Sequence, residues 1–335
     1  MRLASIARAL CGLALGTLAL VGCGTGTFRD EAPVLSPQSV RLPAAQLGSA
    51  PAAPASSGSG SAVKCANPTA SLKPTGSLPL AGQMPAGTFM RTIQDRGRLI
   101  VGVDQNSLLL GYLNPFNDQI EGFDIDMLRE VARAILGNPN AIEFKAISSA
   151  QRIGAVQSNS VDIVADAMTI TCERAKQVAF STVYYEAGQR ILVPTNSPIH
   201  SVADLAGRTV CATKGSTSLE NLARAAPAAI PYPVPLRTDC LVALQEGKVE
   251  AISTDDAILY GFHAQDPYTK IVGPRFSAEP YGMAINRSHP EFVRFVNGVL
   301  AQMRADGSWE RLYTRWLGRV TGASALPPPK ASYRE

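Results

Sequence analysis

Thr169, Thr171 and Arg174 stand in the stretch QRIGAVQSNSVDIVADAMTITCERAKQVAFSTVYY, Gln151 to Tyr185, just beyond the apolar run Val161 to Ala165. Hydroxyls at a strand end, followed by an arginine opening the next helix, are suited to hold a carboxylate. The first turn of a helix has free N–H groups, and a guanidinium adds a two-pronged charged donor. The same pattern also serves as a plain strand–loop–helix unit whose arginine makes a surface salt bridge. Asp104, Ser216 to Ser218 and Asp255 likewise follow short apolar runs. Ligands of open α/β sheets sit beyond the carboxyl ends of the strands, so these residues converge on one place if the runs are parallel strands.

The surrounding elements have that character. Arg98 to Asp104 reads as a strand with a polar end, Gly122 to Leu136 as an amphipathic helix, and Ile142 to Ile147 as the next strand. In the helix Ile125, Leu128, Val131, Ala132 and Ile135 share one face, and Gly137-Asn138-Pro139 stops it. Strand, helix, strand argues for α/β layers on mainly parallel sheets. A second unit follows, with strands at Thr209 to Thr213 and Ala251 to Ser253. Extended runs at Arg190 to Pro194 and Phe276 to Ile285 bracket it. The first domain is therefore expected to be discontinuous: 87–193 with 278–320, around a second domain at 194–277 and before a tail at 321–335.

The phrases TITCER and VAFSTVYY resemble the signature of the polar amino-acid-binding proteins of bacterial ABC importers, the periplasmic-binding-protein type II group. LIVGVD (99–104), EGFDID (121–126), DLAGRTV (204–210), KGSTS (214–218) and ALQEGKVEAISTD (243–255) follow in that family's order, so the resemblance covers roughly 90–320. It implies a two-domain clamshell, each domain a mainly parallel sheet flanked by helices, with a two-segment hinge. The ligand is then a polar amino acid: glutamate or aspartate, with glutamine and asparagine as the amide alternatives. The implied binding set is Asp104, Arg152, Asp166, Ala167, Thr169, Arg174, Ser216, Thr217 and Asp255. Arg174 clamps the α-carboxylate, helped by Thr169 and N–H groups near Thr217, and Asp255 accepts from the α-ammonium. Arg152, in AQRI, resembles the arginine that meets the side-chain carboxylate in glutamate and aspartate binders, although the asparagine and proline of that pattern are Gln151 and Gly154 here. The alternative for Arg152 is a solvated arginine on a helix. Lys145 and Lys214 are further cations within reach of an acidic ligand. The partners implied are a permease and an ATPase; a sensor of the same fold, signalling to a membrane receptor, is the alternative.

The chain of 335 residues has 46% hydrophobic and 17% charged residues and a net charge of +4. Arg2 and Arg8 lie in a leader, so the body is near neutral, and no nucleic-acid partner is expected. Met1 to Cys23 has a positive start, an apolar run and the ending Leu20-Val21-Gly22-Cys23, which resembles a lipoprotein lipobox. A lipid anchor on Cys23 at the extracytoplasmic face of the cell membrane is expected. Residues 24–86, rich in Ala, Pro, Ser and Gly, read as a flexible tether, with order beyond Cys65 left open. Cys65, Cys172, Cys211 and Cys240 allow three pairings. Cys211 with Cys240 is favoured, both falling in the second domain, which leaves Cys65 with Cys172. Zinc is disfavoured, with no C-x-x-C and only His200, His263 and His289. No cofactor is expected, and the body is expected to be a monomer. An enzyme is not expected, because no G-x-S-x-G elbow stands between a strand and a helix.

Overall fold

The computed structural model describes residues 67–322 and 326–334. The expected leader, Cys23, Cys65 and the tether as far as residue 66 lie outside the described residues. Four strands open the first sheet: β1 (Leu99–Val103), β2 (Ile142–Ala146), β3 (Ile163–Val164) and β4 (Ala179–Phe180). The chain then crosses to a second sheet of β5 (Gln189–Pro194), β6 (Thr209–Thr213), β7 (Ile230–Val234), β8 (Ala251–Asp255) and β9 (Thr269–Val272). It returns to the first sheet as β10 (Ala284–Ile285).

The two sheets share one topology, with strand orders β2-β1-β3-β10-β4 and β7-β6-β8-β5-β9. Each is parallel apart from one antiparallel strand, β10 or β5, which is the strand that arrives from the other half. The crossings Tyr185–Ala187 and Glu279–Tyr281 pair antiparallel with each other, forming the two-segment hinge. The fold is the expected two-domain α/β clamshell.

Helix Phe123–Leu136 buries Ile125, Leu128, Val131, Ala132 and Ile135 and ends at a left-handed Gly137, as its pattern predicts. Each such Leu or Ile side chain contributes roughly 1.5–3 kcal/mol when fully buried. Phe123, Tyr184, Tyr185, Tyr281, Trp309 and Tyr313 form a run of stacked, tilted and edge-on rings at the hinge, so the crossings leave an aromatic base. Cys211 on β6 and Cys240 on helix Arg237–Gln245 form the expected disulfide, pinning that helix to its sheet. Cys172 is also disulfide-bonded.

The flexible-tether reading does not hold for residues 67–86. Ser71–Leu72 pairs in parallel with Tyr333–Arg334, and Ser71 Oγ donates to Phe180 O at 2.6 Å. Asn297, buried on helix Pro290–Ala305, donates to Ser71 Oγ and Leu72 O, and Met84 is buried. Both terminal segments are thus strapped to the first half, because their backbone groups find partners there.

Candidate functional site

The carboxyl ends of β1, β3, β6 and β8 deliver Asp104, Asp166, the Ser216–Thr217 turn and Asp255 to the cleft between the two sheets. After β3 the chain turns through Ala167, which has φ 43°, a left-handed conformation that is strained for a residue with a Cβ. Its N–H donates to Asp124 Oδ2 at 2.8 Å, and Asp124 also takes the Tyr184 hydroxyl at 2.8 Å. The turn aims the carbonyls of Asp166 and Ala167 at Arg152. Thr171 caps helix Cys172–Ala175, its Oγ1 accepting from Arg174 N, which fixes where the Arg174 side chain starts.

Three guanidinium groups are buried here. Arg152 donates to Ser149 O, Asp166 O, Ala167 O and, across the cleft, Gly215 O. Its nearest carboxylate oxygen is Asp166 Oδ2, at 3.7 Å from Nε. Arg174 donates to Thr169 O at 2.8 Å and to the same Gly215 O at 3.1 Å. Arg237, from the second half, instead lies 2.6 Å from Asp104 Oδ2 and 2.5 Å from Asp166 Oδ1. Burial pushes Arg152 down to about 9, with Asp166 opposing and the two other arginines adding to the fall. Burial also lowers Arg174. Burial opposes charge on Arg237 as well, yet Asp166 and Asp104 hold it above its ordinary value. Asp104 is raised by burial but ends below the usual carboxylate range because of Arg237.

Asp255 shows the reverse imbalance. It is 3% exposed, and its bonds are from the Tyr281 hydroxyl at 2.7 Å and Ser218 Oγ at 3.4 Å. Burial, with the nearby charge of Glu279 adding, pushes its carboxyl up to about 7. Thr169 Oγ1 and Thr217 Oγ1 lie 3.2 Å apart across the cleft, and both donate to Glu279 Oε2 at 2.7 Å. Gly215 has φ 74°, and a Cβ there would meet Ala150 Cα at 2.7 Å, so only glycine lets the halves approach this closely.

A cavity of about 610 Å³ opens beside Thr169, Arg174, Thr217 and Glu279, with Glu220 and Asn221 on its wall. That size suits a small metabolite. Arg152, Asp104, Asp166, Arg237 and Asp255 lie outside its lining, buried. Ser216 caps helix Thr217–Ala225 and is half-buried. Arg152 is not the solvated helix residue of the alternative reading; it is 2% exposed. Lys214 is exposed and Lys145 is half-buried with its Nζ donating to Ser160 O, so neither joins the cluster. Among the described residues no group of three or more His, Cys, Asp and Glu is placed to hold a metal ion. Sequence reasoning missed Arg237, Glu279 and the Gly215 carbonyl. The one signal for Arg237 is its place in the first turn of a helix, where a cation opposes the helix dipole.

Residues 99–319 match the family described as bacterial extracellular solute-binding proteins, family 3. The ABC transporter glutamine-binding protein of Bacillus subtilis (strain 168) is 38% identical over 229 residues, 68% of this chain and 84% of that protein. An L-glutamate/L-aspartate-binding protein of Pseudomonas aeruginosa is 29% identical over 253 residues, 72% of this chain and 83% of that protein. Among solved structures, a solute receptor for L-cysteine of Neisseria gonorrhoeae superposes with a TM-score of 0.68 at 27% identity, covering 72% of this chain and 99% of that one. An ancestral arginine-binding protein bound to glutamine gives 0.62 at 36% identity, over 67% and 99%.

Proposed function

This chain belongs to the family 3 bacterial extracellular solute-binding proteins, and from that premise we propose that its cleft captures glutamate or aspartate in preference to the amides for delivery to an ABC importer. As a solute-binding protein it is not an enzyme; the cleft captures its ligand unchanged.

One observation carries the reading. Among the described residues the Arg152 and Arg174 guanidinium groups hydrogen-bond only to carbonyl oxygens, and the Asp255 carboxyl only to hydroxyls. A buried charge without a hydrogen-bonded counter-charge is unfavourable, by several kcal/mol for an isolated ion. The two cations match the two carboxylates of an acidic amino acid, and Asp255 matches its ammonium; Glu279 and Asp124 are buried carboxylates with neutral partners too, Glu279 taking four side-chain donors and Asp124 the Ala167 N–H and the Tyr184 hydroxyl. Arg174, on the cavity wall, takes the α-carboxylate together with Thr169; Asp255 takes the α-ammonium; Arg152 takes the side-chain carboxylate. The Gly215 carbonyl belongs to the other half, so opening the hinge breaks its bonds to both arginines and frees them. Closure onto ligand then replaces a neutral acceptor by charged ones, which favours the closed form by differential affinity.

Titration calorimetry of the purified protein with L-glutamate, L-aspartate, L-glutamine and L-asparagine tests this. Both acids should bind at least about tenfold more tightly than their amides, a difference of ~1.4 kcal/mol. Equal or reversed order would overturn the acidic assignment. We also propose that Cys23 carries lipid at the extracytoplasmic face of the cell membrane, on the strength of Leu20-Val21-Gly22-Cys23. Cys23→Ala should leave the membrane fraction or stay unprocessed; a correctly cleaved mutant still partitioning into detergent would refute the anchor.

A further inference from the structure

Arg237 enters the cleft from the second half and ends between two carboxylates of the first. Its NH1 serves Asp104 Oδ2 and Asp166 Oδ1, with Ser107 Oγ at 3.3 Å, and its NH2 donates to Asp166 O at 3.1 Å. Arg237, Asp104 and Asp166 are all buried. Asp104 is held ready for a cation from its other side, its Oδ1 accepting Asn106 N and its Oδ2 accepting Ser107 Oγ. Among the described residues Asp166 Oδ2 has no hydrogen-bond partner, and it faces Arg152 Nε at 3.7 Å. The helix that begins at Arg237 gives no reason for a cation there, since its N-terminus carries the positive end of the dipole. The acid pair supplies the reason. Two desolvated carboxylates that share one nitrogen require a positive charge, whether it is tethered to the chain or arrives with a ligand.

We propose that Asp104 and Asp166 form a cation subsite of the cleft, which Arg237 fills from within, and that this internal plug excludes amino acids with guanidinium or ammonium side chains. The proposal rests on the amino-acid reading of the cleft and adds the device that sets its charge preference. With the plug in place, the site presents Arg152 and Arg174 to anions. Without it, Asp104 has no cation and Asp166 keeps only Arg152, at 3.7 Å, so the pair repels an acidic side chain and attracts a basic one. One arginine of the second half thus decides between two ligand classes while the first-half residues stay the same.

The test uses the full-length chain and titrates L-glutamate, L-arginine and L-lysine into wild type, Arg237→Ala and Arg237→Lys, with circular dichroism to confirm folding. Wild type should bind glutamate and neither basic amino acid. Arg237→Ala should lose about tenfold or more for glutamate and gain about tenfold or more for arginine and lysine. Guanidinium chloride at low millimolar concentration should restore part of its glutamate affinity by refilling the subsite, and Arg237→Lys should keep the wild-type order. A folded Arg237→Ala protein with no gain for either basic ligand and no rescue by guanidinium overturns the plug. Should Arg237→Ala not fold, Asp104→Asn gives the reading: with one carboxylate removed, Arg237 is left partly uncompensated, so acidic ligands should tighten severalfold relative to glutamine. An acid-to-glutamine affinity ratio that is unchanged or lower there also overturns it. Wild type that binds no amino acid sinks the underlying cleft assignment, a result distinct from all of these.

Discussion

Two regions of the cleft handle buried guanidinium groups in opposite ways. On one side Arg152 and Arg174 spend their donors on backbone carbonyls, and burial drags both below their ordinary values. On the other side Arg237 is locked by Asp104 and Asp166 and held above its own. The difference separates charge that binds from charge that positions. A matched pair has little to gain from a ligand, whereas an unmatched ion gains a strong, charge-assisted hydrogen bond when one arrives. We therefore propose that the first region meets the ligand and that the second, already paired, sets the charge preference of the cleft.

The largest effect should come from removing the unmatched charges. Arg174→Ala and Asp255→Ala should each weaken every amino-acid ligand by about 100-fold or more, since a charged hydrogen bond contributes roughly 1.5–3 kcal/mol and its orphaned partner costs more. The free protein should keep its melting temperature within a few degrees, because among the described residues neither group stands in an ion pair and each feels opposite charge only at longer range. Calorimetry that finds near-normal affinity in both variants would erase the distinction between the regions.

Next in size is the effect of pH. Asp255 holds its proton up to about 7 in the folded chain, whereas an unperturbed Asp ionises near ~3.9. An ammonium ligand needs the ionised form. Affinity should therefore fall by up to about tenfold per pH unit below 7, and Asp255→Asn should flatten that profile. Stability runs the other way. Between pH ~4 and ~7 the folded state holds more protons at this group than the unfolded state does, so its contribution to stability decreases as pH rises through that window. Binding that strengthens as pH falls from 7 to 5 would show that Asp255 is not the ammonium site.

Thr217→Val should have the smallest effect. Its hydroxyl bridges Glu279 and Thr169 across the cleft, and one neutral hydrogen bond contributes about 0.5–1.5 kcal/mol, hence a weakening of roughly three- to tenfold for acids and amides alike. A loss confined to acids, measured in the same titrations, would place Thr217 on the ligand side chain instead.

Much of this was legible in the sequence. The strand–loop–helix units gave Thr169, Arg174 and Asp255, because strand ends, caps and apolar runs are local signals that need no knowledge of the partner. Arg237 was not legible: its carboxylates lie 133 and 71 residues away, and nothing near it announces them. Glu279 was missed for the same reason, reached from Thr169 across 110 residues. The strapped segment 67–86 has the Pro, Gly and Ser content of a linker, and its order comes from the far end of the chain at Tyr333–Arg334 and from Asn297. Arg152 lies between these cases. The motif pointed to it, but only burial and its carbonyl partners separate it from a surface arginine.

Arg152→Met tests the central claim most directly, because methionine keeps the bulk and removes only the charge and its donors. The four dissociation constants for glutamate, aspartate, glutamine and asparagine should be measured on wild type and variant by calorimetry at pH 7.5. The account predicts that both acids weaken by about 30-fold, ~2 kcal/mol, while both amides change by less than about threefold. Equal weakening of acids and amides, or no change in any of the four, would contradict it.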